Sequence, residues 1–392
     1  MVLLGLLLLF GCVNDAGPAG PATLGASLRN PEDSEAGVVL QAVAEGGPAA
    51  RAGLRDGDRL LTLDTTAVDS ACTLDRILLH KRPGQKVKLT MRRGWELREK
   101  SVKLADALAF HEKSCEAGSA QGCFELALLH VHGRGVAADP ERAHQLLDQA
   151  CQAGSAAACA ELGGRFMSGD GGTAEDPRTR ELLSRACDGG SAAGCAHLAF
   201  LYATGQGVRR DDEHALNLYQ DACDRGDGAA CYNVGLHFEK ARGTFENREY
   251  LGIALATYRR ACDLGYARGC TNLGFLHERG LGVPADPHRA ANLYRRGCEG
   301  SPCEAGDPLG CFNLGVFHRD GQGVKVDKQR AADLFEKSCD GDNTYGCANL
   351  ADLLYAGDGV RKDEERAVEL FRRACEGGHE VSCRNLRQLG AR

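Results

Sequence analysis

Nineteen cysteines punctuate this 392-residue chain, and their phase constrains its fold more than any other feature. With Cys12 and Cys72 set aside, they form pairs eight residues apart: Cys115/Cys123, Cys151/Cys159, Cys187/Cys195, Cys223/Cys231, Cys262/Cys270, Cys303/Cys311, Cys339/Cys347 and Cys375/Cys383. First members recur every 36 residues, except that Cys223 to Cys262 spans 39 and Cys262 to Cys303 spans 41, through a five-residue insertion. Cys298, 36 residues after Cys262, is the odd thiol. A fixed period of this length means a repeat array, whose units bury their apolar faces only by stacking on their neighbours.

Each period reads as two helices. A first helix, A, such as 122–131, is followed by a glycine turn, His132-Gly-Arg-Gly-Val136, echoed at 204–208, 279–283, 320–324 and 356–360. The glycines supply the backbone angles of a tight interhelical turn. Asp139, Asp211, Asp286, Asp327 and Asp363 then suit the N-cap of a second helix, B, such as 142–151. The turns at 168–176 and 241–248 are irregular. Each cysteine pair therefore joins the end of one B helix to the start of the next A helix, which can bring the two Cα atoms within disulfide range. A loop of this size stabilises by about 2–3 kcal/mol per bridge on the chain-entropy account. Cys311 has two candidate partners: helix alignment favours Cys298, and the eight-residue spacing favours Cys303. Zinc would want Cys-x2-Cys or mixed His/Cys sets of four, which are absent. So many cysteines without metal motifs point to an oxidising compartment.

The motif Ala-Cys-x2-Gly-x3-Gly/Ala-Cys-x-Asn-Leu-Gly, plain at Ala261 to Gly274 and recurring with a different start at Cys303 to Gly315, resembles the Sel-one-like repeat (SLR) family, relatives of tetratricopeptide repeats. The Cys-x7-Cys phase resembles its secreted cysteine-rich, Hcp-type branch. The resemblance covers about 290 residues. It implies a mainly α fold, a right-handed αα-solenoid of disulfide-linked repeats over residues 105–392, with A helices lining a concave face that binds proteins or peptides. The array is expected to open with a lone B helix at 104–115 and to close with a polar A helix at 380–389, where Arg384 and Arg387 suit a solvated cap.

The chain begins with an apolar run, Met1 to Phe10, too short to span a bilayer. Its length suits a signal-peptide core. Leu9-Phe10-Gly11-Cys12 resembles a bacterial lipobox, which implies lipidation of Cys12 and cleavage before it, although no Lys or Arg precedes the run. We read residues 1–11 as a lipoprotein signal peptide and 12–21, with its Gly17-Pro18-Ala19-Gly20-Pro21, as a tether. Residues 22–104 read as a small β-rich domain, with strand-like runs at 37–43, 55–63, 86–92 and 97–104 and a helix at 73–81. Gly46-Gly-Pro-Ala-Ala-Arg-Ala-Gly-Leu-Arg-Asp-Gly-Asp58 resembles the G-S-P-A-x-x-A-G-L-x-x-G-D signature of bacterial PDZ domains of the HtrA type. That resemblance implies a groove that adds a partner's C-terminal peptide as an extra strand. By position, Leu24, Gly25 and Ala26 fall in its carboxylate loop, and Leu74, Ile77 and Leu78 on its helix.

Catalytic signatures are missing: there is no Gly-x-Ser-x-Gly, Ser-x-x-Lys, His-Glu-x-x-His or phosphate-cradling loop. His130, His277 and His318 share a repeat position with Phe166, Tyr202, Phe238 and Leu354, which marks packing. Gly163, Gly235, Gly274 and Gly315 share another, which marks close helix approach. A net charge of −7 argues against a nucleic-acid binder, and one Trp argues against a base-stacking surface. The expectation is a non-catalytic envelope scaffold without cofactor. It would bind proteins or C-terminal peptides and meet the membrane through its lipid anchor, on the periplasmic side of the outer membrane. The rivals are a β-lactam-binding hydrolase, on family association alone, and a regulator that presents substrates to an envelope protease.

Overall fold

The computed structural model describes residues 22–24, 26–29, 37–241, 248–301 and 305–390. The signal and tether segments with Cys12, the loop residue Gly25, the centre of the irregular turn after residue 241, and Cys303 lie outside them. The chain divides into two compact units, meeting at Gly226/Asp227.

The first unit opens with a β-rich domain built from β1 (Ala22–Thr23), β2 (Ala26–Arg29), β3 (Val38–Val43), α1 (Pro48–Arg51), β4 (Arg59–Leu63), β5 (Thr66–Ala67), α2 (Ala71–Leu79), β6 (Lys86–Arg93), β7 (Glu96–Lys103) and β8 (Ala105–Asp106). The main sheet is antiparallel, in the order β2-β3-β4-β6-β7, with β5 paired to β4; β1 pairs with β8 apart from it. Alternation on β6 turns Val87, Leu89 and Met91 into the core, where they join Leu24, Leu40, Leu60, Leu63 and Leu74. Asp58, the last residue of the glycine-rich signature, is 1% exposed. Both its oxygens accept from the Arg93 guanidinium at 2.6 Å, and one also accepts from the Arg55 amide, so the buried charge is fully partnered.

The rest of this unit is helical: α3 (Ala107–Glu116), α4 (Ala120–His132), α5 (Pro140–Gln152), α6 (Ala156–Met167), α7 (Pro177–Asp188), α8 (Ala192–Thr204) and α9 (Asp212–Asp224). The second unit holds α10 (Gly228–Ala241), α11 (Arg248–Asp263), α12 (Ala267–Arg279), α13 (Pro287–Glu299), α14 (Pro308–Asp320), α15 (Lys328–Asp340), α16 (Thr344–Ala356), α17 (Glu364–Glu376) and α18 (Glu380–Gln388). Even-numbered helices from α4 are A helices, and odd-numbered helices from α3 are B helices. Each A helix packs on the B helix that follows it, as α4 does on α5 and α12 on α13, and each unit is a run of such pairs, an αα-solenoid.

The local signals work as physics requires. Asp139, Asp211, Asp286, Asp327 and Asp363 each accept the amide three residues on. Gly321 and Gly323 both adopt positive φ, at 73° and 65°, and a side chain on Gly323 would also collide with the Pro287 carbonyl.

Disulfides join each B helix to the next A helix. The pairs Cys115–Cys123, Cys151–Cys159, Cys187–Cys195, Cys262–Cys270, Cys339–Cys347 and Cys375–Cys383 have Cα atoms 4.4–4.8 Å apart. Cys223 and Cys231 are also disulfide-bonded. Two corrections to the sequence expectation follow. The first concerns Cys311, which bonds to Cys298 and not to Cys303, so the eight-residue spacing misleads at this repeat. Helix phase decides the pairing. Cys298 ends α13 where Cys262 ends α11, and the insertion folds back so that the Asp307 amide donates to the Gly297 carbonyl. The second concerns depth. Spacing alone casts the bridges as links across short connections, but Cys159 and Cys270 are each only 3% exposed. Cys159 packs in one apolar cluster with Leu126, Leu162 and Phe166, and Cys270 in another with Leu255, Tyr258 and Leu273. The sulfurs are therefore core atoms as well as crosslinks, because the cysteine positions face inward on both helices. Each staple has a polar companion: Arg185, Arg225, Arg296 and Lys337 donate to the carbonyls of Cys151, Cys187, Cys262 and Cys298, the exposed ends of the preceding B helices.

The shared small residues of the A helices face bulky residues of the following B helices. A methyl added at Gly163, Gly235, Gly274 or Gly315 would lie 2.5–2.9 Å from Leu183, Tyr258, Tyr294 or Phe335. Gly315→Leu is therefore expected to destabilise by about 1–3 kcal/mol through overpacking. Chemical denaturation reads the loss, and adding Phe335→Ala should recover part of it. A double variant no better than Gly315→Leu alone would rule out the steric account.

Candidate functional site

Two faces collect residues suited to recognition. In the β-rich domain, β2 ends the sheet: it pairs with β3 from Ala26↔Val43 to Arg29↔Val39, and among the described residues no strand lies on its other edge. The Leu24 carbonyl just before it accepts the Ala49 amide at 2.9 Å, which ties the entry of β2 to α1. Ser70 caps α2 through the Thr73 amide. Leu24, Leu74 and Leu78 belong to one buried cluster with exposures of 2%, 0% and 8%, and Ile77 packs on that cluster while remaining partly exposed. Of the apolar residues assigned to a groove, Leu24 and Leu74 thus serve as its foundation, and Ile77 offers surface. Gly25 lies outside the described residues, and the side chains of Ala26 and Cys72 are likewise undescribed. An open strand edge offers unpaired amides and carbonyls on which an extended peptide can continue the sheet.

In the second unit, α10, α12, α14 and α16 touch in series. Each carries an asparagine two residues after its cysteine: Asn233, Asn272, Asn313 and Asn349, all half-buried, with Asn385 following on α18. Phe275, Leu309 and Tyr345 stand exposed beside them, at 36%, 44% and 57%. The Asn349 amide donates to the Tyr345 carbonyl and its oxygen accepts from Arg319 at 2.6 Å, so its orientation is fixed. This row goes beyond the sequence expectations, although the cysteine phase held the signal. In the first unit the same position carries Glu125, Glu161 and His197. Burial pushes the Glu161 carboxyl up and the His197 imidazole down to about 4, so uncharged forms are favoured there.

His277 is buried, both its ring nitrogens lack a partner and burial holds its pKa down, which is packing behaviour. Among the described residues, one cluster has metal-donor spacing: Cys187, Cys195 and Asp221. The two sulfurs are bonded to each other, so neither is a thiolate, and the carboxylate pairs with Arg225.

Residues 22–104 match the PDZ domain family. Residues 120–155, 156–191, 192–227, 228–266, 267–301, 308–343 and 344–379 each match the Sel1 repeat, together more than half of the chain. The chain belongs to the Sel1 repeat family. Among solved structures, this Sel1 repeat protein is similar to a protective antigen of uropathogenic Escherichia coli with an SLR fold, at 25% identity and a TM-score of 0.57, covering 70% of this chain and 57% of that one. It is also similar to a Sel1 repeat protein from Oxalobacter formigenes, at 25% identity and a TM-score of 0.55, covering 72% and 80%. It thus spans little more than half the length of the first. No curated protein matches it. PDZ domains and Sel1 repeats generally mediate protein–protein contacts and are typically non-catalytic, so the architecture is that of an interaction scaffold. Its many disulfides fit an extracytoplasmic location. None of the described helices is long and apolar enough to cross a membrane.

Proposed function

We propose that this Sel1 repeat protein is a non-catalytic adaptor of the bacterial envelope, which captures proteins by their C-terminal tails in an HtrA-type PDZ groove. The observation that carries this reading is the open edge of β2, with α2 packed on the same core. The A-helix row of asparagines and exposed apolar side chains provides a second surface, for an extended segment of the captured protein. Asparagine amides supply paired donors and acceptors for peptide backbone, and Phe275, Leu309 and Tyr345 supply apolar contact. Lipidation at Cys12 would hold the adaptor at the outer membrane, facing the periplasm.

The test is binding of a C-terminal peptide library to the full oxidised chain, with each hit repeated as its C-terminal amide. Hits should weaken about tenfold or more with Ile77→Glu, a loss of about 1.4 kcal/mol. Leu24 and Leu74 are unsuitable targets, since a charge at either would unfold the domain. Hits that bind equally well as amides, or through Ile77→Glu, would remove the groove from the proposal.

A further inference from the structure

The segment from Lys81 to Lys103 holds nine basic and two acidic residues, in a chain whose net charge is −7. The fold sorts these charges by side. Val87, Leu89 and Met91 of β6 face the core, as does Leu74 of α2, so Lys86, Lys88, Thr90 and Arg92 point to the opposite face of the sheet. The register sets Lys86 opposite Lys103 and Arg59 opposite Arg92 on that face. Like charges directly opposite each other on neighbouring strands are destabilising. Glu99 is the acidic residue that β7 turns to this side, and it accepts an ion pair from Lys88. At the end of the same hairpin stand two large apolar side chains: Trp95, the single tryptophan of the chain, 90% exposed, and Leu97, opposite Arg92 and 67% exposed.

We propose that this outward face of β4, β6 and β7 docks on an anionic lipid surface. The like-charge pairs would be relieved by lipid phosphates, and Trp95 and Leu97 would enter the interface beyond the plane of the cations. Basic residues near an anionic leaflet attract it, and exposed tryptophan favours the headgroup level. The apolar tip favours a lipid layer over a nucleic acid, whose backbone would meet the cations and leave Leu97 in water. The surface lies across the sheet from α2, so it does not depend on peptide capture. If Cys12 carries the anchor proposed above, residues 12–21 keep the domain within about 35 Å of the membrane, at roughly 3.5 Å per extended residue.

Trp95 is its own reporter. The full chain carrying Cys12→Ser, so that no acyl group contributes, is titrated with vesicles of phosphatidylglycerol and phosphatidylethanolamine. Its emission should move to shorter wavelength and be quenched by brominated acyl chains, and phosphatidylcholine vesicles should do neither. Lys86→Gln with Lys103→Gln should weaken binding about thirtyfold, roughly fivefold per basic side chain. That variant removes a like-charge pair, so it should melt no lower than its parent. Raising salt should weaken the unaltered chain as well, which gives a readout free of substitution. Three results would overturn the proposal: no spectral shift on anionic vesicles, equal binding to phosphatidylcholine, or displacement by inorganic phosphate at equal phosphorus concentration, which would assign the site to a free anion.

Discussion

Reduction is expected to take down the helical array as a whole. The bridged cysteines are almost all buried on both sides of the bond: Cys151 is 1% and Cys159 3% exposed, Cys262 2% and Cys270 3%. A thiol reductant therefore reaches them only after local opening. In native buffer reduction should be slow; in mild denaturant it should be fast and joined to loss of helix. Each eight-residue link is worth about 2.5 kcal/mol on the chain-entropy account. A repeat array has a stability close to a sum over units and their interfaces, so losing the bridges subtracts from nearly every term. Circular dichroism melts with parallel thiol counting measure this. The double variant Cys339→Ser with Cys347→Ser isolates one bridge, joining α15 to α16. A reduced chain melting within a degree or two of the oxidised one would show that helix packing alone sustains the array.

Acid should act through two histidines of the first unit. His111 and His197 are both held down to about 4 by burial, against an ordinary value of 6.5. The native state therefore prefers the neutral ring, and the unfolded chain takes up a proton first. Stability is complete above pH 6.5, falls as pH drops towards about 4, and loses nothing further from these groups below that. The slope is about 1.4 kcal/mol per pH unit for each histidine, less whatever their residual exposure screens. Neighbouring repeats suggest the substitutions. His111 occupies the B-helix position held by Leu147, Leu183, Tyr258 and Phe335, four residues before the cysteine, and His197 the A-helix position held by Asn233 and Asn272. His111→Leu with His197→Asn should flatten the denaturation profile between pH 6.5 and 4 while leaving stability at pH 8 little changed. A profile as steep as before would place the acid sensitivity elsewhere.

The repeat was legible in the sequence because each of its signals is local: a cap, a glycine turn, a cysteine at a helix end. Asp139 and Gly133 say the same thing in sequence and in space. Cys311 was ambiguous because spacing counts residues, whereas pairing follows the helical phase of α13. In the β-rich domain the strands with alternating apolar residues could be read, but β1 and β8 are two residues each and exist only by pairing across the whole domain. The apolar residues of the candidate groove were named from resemblance. Which of them form foundation and which form surface is a matter of depth, and sequence position carries no depth: Leu74 and Ile77 look alike on a helical wheel. The same holds for Cys159 and Cys270, whose place in the apolar core the spacing of cysteines does not disclose. The cationic face needed the β6–β7 register before its opposed charges became visible.

The staples also change how the chain is connected. Between Cys115 and Cys123, or Cys339 and Cys347, two covalent routes run in parallel, one through the backbone and one through sulfur. Between Cys123 and Cys151 there is one route, through the turn of the hairpin. A protease that cuts inside a stapled link leaves both fragments attached and the helices in place; a cut in a hairpin turn severs the molecule. The fragile points of the oxidised array are thus its exposed glycine turns, such as the one from Gly133 to Asp139, each closed by no more than a few backbone hydrogen bonds and an aspartate cap.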